Sequence, residues 1–345
     1  SAHYQVLLQA FNDVGIQFHQ LTVTKEPSPE IIDEAVGRFR NMPIDAVVSI
    51  GGGSVVDAGK AISAMMSVND PVMKYLESVG TGEHPGSKLP FIAVPTTAGT
   101  GSEATKNAVI SDVGKDGFKK SLRHDNFVPD IALIDPELTL TCPRDITAAS
   151  GMDCFTQLAE AYLSDKANEY TDALAWEGLM AVSDSLVSCV EDGSRIESRS
   201  GMSFAALTSG ICLANAGLGV VHGFASSAGG MYNIPHGVLC GTLMAKANEV
   251  NVRELRKKNV NPAALRKYAS LGKLFLGENS GTDDYFIDGF IRFLSDITGR
   301  FNIPRLAGYG IAGEDIGSIC IRTEIKNNPV RLEQEDLEEI LFERL

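Results

Sequence analysis

Residues 47–63, VVSIGGGSVVDAGKAIS, decide the fold. VVSI is short, apolar and β-branched, as a buried strand is, and VVDAGKAIS has the spacing of a helix. Between them stand Gly51, Gly52 and Gly53. Glycines let the backbone come close to a ligand and aim successive N–H groups at it. The helix beginning at about Ser54 adds the partial positive charge of its N-terminus, so turn and helix together form a cradle for phosphate. The spacing follows the GxGxxG dinucleotide fingerprint only in its first part, because position 56 is Val, and a purely structural strand–helix turn shares the pattern.

Outward from this turn, apolar runs alternate with helical patterns. A helix over about residues 4–14 precedes the strand HQLTVT (19–24), and a helix from Pro29 to Arg40 precedes DAVVSI. After the helix from Ser54 to about Ser67 come the strand FIAVPTT, a hairpin-like stretch at 107–122, and the strand IALIDP (131–136). This alternation predicts a parallel sheet covered by helices on both faces. Such a domain normally has a strand before its first helix, so the pattern predicts one lying outside this sequence. The stretch FIAVPTTAGTGSEAT (91–105) places Thr96, Thr97, Thr100 and Ser102 at the carboxyl edge of the same sheet. Open α/β sheets bind ligands along that edge. Hydroxyls there bond phosphate and ribose without adding charge.

From about Thr147 the texture changes to long helix-period segments, punctuated at Ser164-Asp165, Gly193, Gly201, Gly217–Gly219 and Pro235. The expected organisation is an α/β domain over 1–145 and an all-α domain over 146–345. RELRKKNV and LEQEDLEEI read as solvated helix faces. The 345 residues are 44% hydrophobic and 21% charged with a net charge of −14, which argues against partnership with nucleic acid or an anionic membrane surface. No uninterrupted apolar run approaches the ~20 residues of a membrane span. The six cysteines are scattered without a CxxC pair, which suits reduced thiols in a cytoplasmic protein.

Two of the six histidines, His222 and His236, lie in GLGVVHGFASSAGGMYNIPHG (217–237), each followed by Gly within small residues. They read either as hydrogen-bonded core histidines or as parts of a buried site. In GMDCFTQLAEAY (151–162), Asp153 and Gln157 stand at i and i+4 and share a helix face.

GGGSVVDAGK, PTTAGTGSEAT, VPDIALIDPELT, AASGMD, GLGVVHG and NIPHG occur in this order, and the chain resembles the iron-containing (group III) alcohol dehydrogenase family over nearly its whole length. The resemblance implies a dehydroquinate-synthase-like architecture: a Rossmann-like NAD(P)-binding α/β domain, an all-α metal domain, and a site in the cleft between them. It implies NAD(P)-linked interconversion of alcohols and aldehydes in a homodimer. By position, Gly52, Gly53, Ser54 and Asp57 are expected at the cofactor's phosphates and nicotinamide side. Thr96, Thr97 and Thr100 are expected along the adenosine and phosphate path, and Lys119 at the ribose. The family strand that separates NAD from NADP precedes the first helix here, so both cofactors stay open.

The resemblance also implies a divalent metal, Fe(2+) or Zn(2+), held by one Asp and three His. Asp153, His222 and His236 match three of these. The fourth position, one helical turn after the Asp, is Gln157, whose neutral amide oxygen is a weak, hard donor beside imidazole. At Ser226, where many members carry another His, serine is a poor general base. The expected chemistry is hydride transfer, with the substrate oxygen polarised by the metal or, without one, hydrogen-bonded by His222, His236 and Gln157. A metal-independent reductase like the maleylacetate reductases and a non-catalytic cofactor-binding paralogue remain the alternatives. The substrate itself is not legible in the motifs.

Overall fold

The computed structural model describes residues 2–345, with side chains from Tyr4 onward. Helix α1 (Ala2–Asp13) leads through an irregular stretch to α2 (Pro29–Phe39). Ser28 caps α2 by accepting from the Ile31 N–H at 3.3 Å, and Pro29 occupies the first turn, where no N–H is needed. Ile32, Ala35, Val36 and Phe39 form its buried stripe. Then follow β1 (Val47–Gly51), α3 (Gly53–Met65), β2 (Phe91–Pro95), β3 (Asn107–Asp112), β4 (Phe118–Arg123) and β5 (Ile131–Ala132).

β1, β2 and β5 form a parallel sheet in the order β1-β2-β5, with Val48 opposite Ile92 and Ile92 opposite Ile131. β3 and β4 form the expected hairpin. Two sequence expectations fail here. Residues 19–24 form no strand: a strand exists by sharing a ladder, and β1's only ladder neighbour among the described residues is β2, so its outer edge offers HQLTVT no pairing. Nor do the described residues cover both faces of the sheet. α3 packs on one face, while Val48, Ile131 and Leu133 on the other are 41%, 53% and 47% exposed. The remaining helices meet this half elsewhere, α7 against β3 and β4, and α6 against the loops at the carboxyl edge.

The rest is helical: α4 (Arg144–Leu163), α5 (Glu169–Glu191), α6 (Ile196–Ala216), α7 (Val220–Met231), α8 (His236–Lys258), α9 (Pro262–Leu276), α10 (Asp283–Arg300), α11 (Ile316–Ile321) and α12 (Gln334–Phe342). One core joins them, with Phe155, Leu158, Leu179, Phe224, Leu243 and Phe290 buried together. α5 is long and apolar enough by composition to cross a membrane, but it packs against α4 and α6 within this core.

Gly201, expected as a breaker, lies inside α6. A β-carbon there would stand 2.1 Å from Ser185 Oγ of α5, so the glycine serves close helix packing. The basic and acidic stretches expected to face solvent separately face each other. Arg253 of α8 binds Asp336 at 2.7 Å and Glu339 at 2.6 Å on α12.

The loop after β2 joins the two halves. Gly101, at φ +61°, lies directly on Gly210 of α6, where a β-carbon on Gly210 would stand 2.2 Å from Gly101 O. Beneath the same loop the fully buried ammonium of Lys60 donates to Ser102 O at 2.6 Å, Thr105 Oγ1 at 3.0 Å and Asn107 O at 2.8 Å.

Candidate active site

The glycine turn and the threonine loop meet at the sheet's carboxyl edge. Gly52 caps α3, leaving Gly53 and Ser54 in the first turn, whose amides a helix leaves without internal acceptors. A β-carbon on Gly52 would stand 3.3 Å from Thr97 Oγ1, and one on Gly53 would stand 2.7 Å from Thr100 Oγ1 and Cγ2. Thr96 N–H donates to Gly51 O at 2.9 Å, which ties the loop to the turn. Thr97 also lines a crevice with Pro95, Ile134, Asp135 and Thr139.

Two other expected cofactor residues are already engaged. Asp57 is buried, with Oδ2 accepting from Val109 N–H at 3.1 Å and Oδ1 left without a hydrogen bond among the described residues. Burial pushes its carboxyl upward, against the pull of Lys60. Lys119, on β4, pairs with Glu26, whose other oxygen accepts from Ser111 Oγ at 2.8 Å.

Asp153 and Gln157 of α4, His222 of α7 and His236 of α8 lie on three helices. Asp153 Oδ1 is 3.3 Å from His222 Nε2 and 3.5 Å from His236 Nε2. Although buried, that oxygen has no hydrogen-bond partner among the described residues. Unpaired buried polar atoms are rare because they carry a desolvation cost. An oxygen facing two imidazole nitrogens fits a divalent cation held between them. Burial pushes the Asp153 carboxyl up, but His236 and His222 outweigh it and hold it below the ordinary carboxylate range. Burial works against protonation of His222, yet Cys240, Asp153 and Glu160 raise it well above the usual imidazole value. His236 is lowered to about 4 by burial, with Lys119 and His222 adding to the effect.

Two residues of this site escaped the sequence reading. Glu160 Oε2 pairs with His222 Nδ1 at 2.7 Å, while Oε1 accepts from Val221 N–H at 2.7 Å. It directs His222 Nε2 toward Asp153, as carboxylates behind metal-binding histidines do. Its signal was present in GMDCFTQLAEAY: Asp153, Gln157 and Glu160 stand at i, i+4 and i+7 of one stripe. The second is Cys240, one turn after His236 on α8, with Sγ 3.7 Å from His222 Nε2 and 3.8 Å from His236 Nε2. Donor atoms of Asp153, His222, His236 and Cys240 all lie within 4.8 Å of one another.

Gln157 connects this group to the threonine loop. Its Nε2 lies 3.5 Å from Gly99 O, and its Oε1 is buried without a partner among the described residues. Ser226 donates back to His222 O at 3.1 Å and receives from Lys326 Nζ at 3.5 Å.

Comparison with known proteins gives the family of the chain. Residues 1–136 match the family described as iron-containing alcohol dehydrogenase, and residues 147–345 match the C-terminal part of the Fe-containing alcohol dehydrogenase family. Alcohol dehydrogenase 4 of Saccharomyces cerevisiae is 32% identical over 318 residues, 91% of this chain and 78% of that protein. The NAD-dependent methanol dehydrogenase of Bacillus methanolicus is 35% identical over 296 residues, 84% of this chain and 74% of that protein. Among solved structures, a 1,3-propanediol oxidoreductase superposes with a TM-score of 0.86 at 28% identity, covering 98% of this chain and 87% of the other. The chain belongs to the iron-containing alcohol dehydrogenase family.

Proposed function

We propose that this chain interconverts an alcohol and its aldehyde or ketone with NAD(P) as the hydride carrier. The observation that carries the proposal is the buried, unpartnered Asp153 Oδ1 facing two imidazole nitrogens. Gln157 links this group to the loop that packs on the glycine turn. The alcohol dehydrogenase and methanol dehydrogenase named above support the substrate class, and the latter's name supports NAD.

When bound, a divalent metal supplies Lewis-acid polarisation of an oxygen and NAD(P) supplies or takes the hydride. Asp153, His222 and His236 would hold the metal, and the residues of this chain do the rest. The α3 amides at Gly53 and Ser54 bind phosphate, and Thr96, Thr97 and Thr100 line the path of the dinucleotide. Glu160 keeps the Nδ1 proton of His222, so its Nε2 lone pair faces the site. Gln157 brings an amide to the seam where the substrate oxygen sits. Ser226 has its proton engaged at His222 O and accepts from Lys326 Nζ at 3.5 Å, which brings an ionisable group beside it. The six free cysteines support a cytoplasmic setting, and the homodimer expectation rests on the family resemblance.

The test is NAD(P)H oxidation with a panel of short and long aldehydes, using protein loaded with Fe(2+) or Zn(2+) and protein stripped by chelation. Turnover that is lost on stripping, restored by metal and absent in Asp153→Ala supports the proposal. Undiminished turnover in metal-free protein would favour the metal-independent reductase.

A further inference from the structure

We propose that Cys240 is a metal ligand, completing with Asp153, His222 and His236 a four-donor set that favours a thiophilic divalent ion such as zinc over iron. This rests on the metal-dependent function proposed above and adds the identity of its fourth donor. The resemblance led to position 157 for that donor, where the chain carries an amide. The structure places a sulfur on another wall of the same space, one turn along α8 from His236.

The spacing supports it. With metal–ligand distances of about 2.0–2.3 Å, the donors of a tetrahedral zinc site stand about 3.3–3.6 Å apart. Asp153 Oδ1 lies 3.3 and 3.5 Å from the two imidazole Nε2 atoms, and Cys240 Sγ lies 3.7 and 3.8 Å from the same two nitrogens. Both contacts of the sulfur are thus made to the nitrogens that face Asp153. Hydrogen bonding explains this poorly, since sulfur is a weak donor and acceptor. His222 Nδ1 is engaged by Glu160, so Nε2 is the atom it offers to the site.

Donor chemistry then sets the metal. Thiolate is soft and draws zinc or cobalt, whereas a set of carboxylate, amide and imidazole is harder. Coordination exchanges the S–H bond of Cys240 for a bond to the metal, and the proton passes to the medium. Gln157, with its Nε2 toward Gly99 O, remains free for the substrate oxygen.

The test uses Co(2+) as the probe, added to full-length apoprotein. Wild type should show the intense near-ultraviolet charge-transfer band of cobalt–thiolate bonding. Cys240→Ala should lose the band and bind cobalt and zinc roughly a hundredfold more weakly, because losing a ligand costs at least what losing its outer partner does. Cys154→Ala, removing the buried thiol next to Asp153 in sequence, should keep the band. Gln157→Ala should keep it and weaken binding less than Cys240→Ala. Thermal melts of the apoproteins separate ligand loss from misfolding. Stoichiometric cobalt without the band, with Cys240→Ala binding as wild type, would overturn the assignment of Cys240 and leave the metal site standing. No cobalt or zinc bound by wild type, with Asp153→Ala indistinguishable from it, would overturn both.

Discussion

Glu160 and His222 are joined by a 2.7 Å hydrogen bond, and the same carboxylate receives the backbone N–H of Val221 at 2.7 Å. One side chain therefore orients a candidate ligand and satisfies a first-turn amide of the helix that carries it. Glu160→Gln turns one acceptor oxygen into an NH2 group and leaves one of these donors unpaired. Zinc affinity measured by calorimetric titration should fall about 10–100-fold, while far-ultraviolet dichroism stays unchanged. Unaltered affinity would show that His222 is held by other means.

Gly53→Ala tests the contact between the glycine turn and the threonine loop. The new methyl would meet Thr100 Oγ1 and Cγ2 at 2.7 Å. Thr100 is not free to swing away, since its Oγ1 accepts from Ser102 N at 3.3 Å and Ser102 Oγ at 3.0 Å. Overpacking of this kind costs about 1–3 kcal/mol, and NADH affinity, read by fluorescence, should drop at least tenfold if the cradle binds phosphate. Adding Thr100→Ala removes both atoms, so the double variant should regain stability beyond additivity.

Lys60→Met leaves three buried acceptors beneath the threonine loop without their donor, which should destabilise the protein by roughly 2–4 kcal/mol. Burial lowers the Lys60 ammonium from 10.5 to about 8, against the pull of Asp57 and Glu103. Between those values the unfolded chain binds a proton that the folded one lacks, so unfolding free energy rises with pH across this window. Urea melts from pH 7.5 to 10 should show that rise in wild type and a smaller one in Lys60→Met. Parallel curves would mean that the folded-state ammonium is not disfavoured.

Gln157→His places an imidazole one turn from Asp153, at a position that is 2% exposed. Metal affinity should increase at least tenfold if this wall of α4 faces the bound ion. An unchanged constant would show that position 157 serves the Gly99 loop alone.

Local patterns carried much of this molecule. The strand–glycine–helix unit at 47–65, the hairpin and the long helices are legible because period and turn chemistry act within a few residues. HQLTVT misleads because alternation describes a strand's faces but not its neighbour, and the neighbour is a tertiary matter. Gly201 misleads for a related reason: the same residue breaks a helix or lets another helix approach, and only Ser185 across the gap decides. Asp153, His222 and His236 were found through motif resemblance, and the structure brings them together. Cys240 was read by its count among scattered thiols, so its place one turn after His236 went unused. The charges of α8 and α12 looked solvated because each stretch is amphiphilic by itself.

Gly101 and Gly210 touch backbone to backbone, with no side chain between them. Such a contact has no rotamer to yield, so a side chain added at either glycine would have to displace backbone. The threonine loop is bound to the helical half there and to the sheet half through Gly53 and Lys60. The helical half also meets the sheet half where Gly114 N–H donates to Gly230 O at 3.1 Å, so two backbone-level contacts, far apart in sequence, fix how the halves sit on each other.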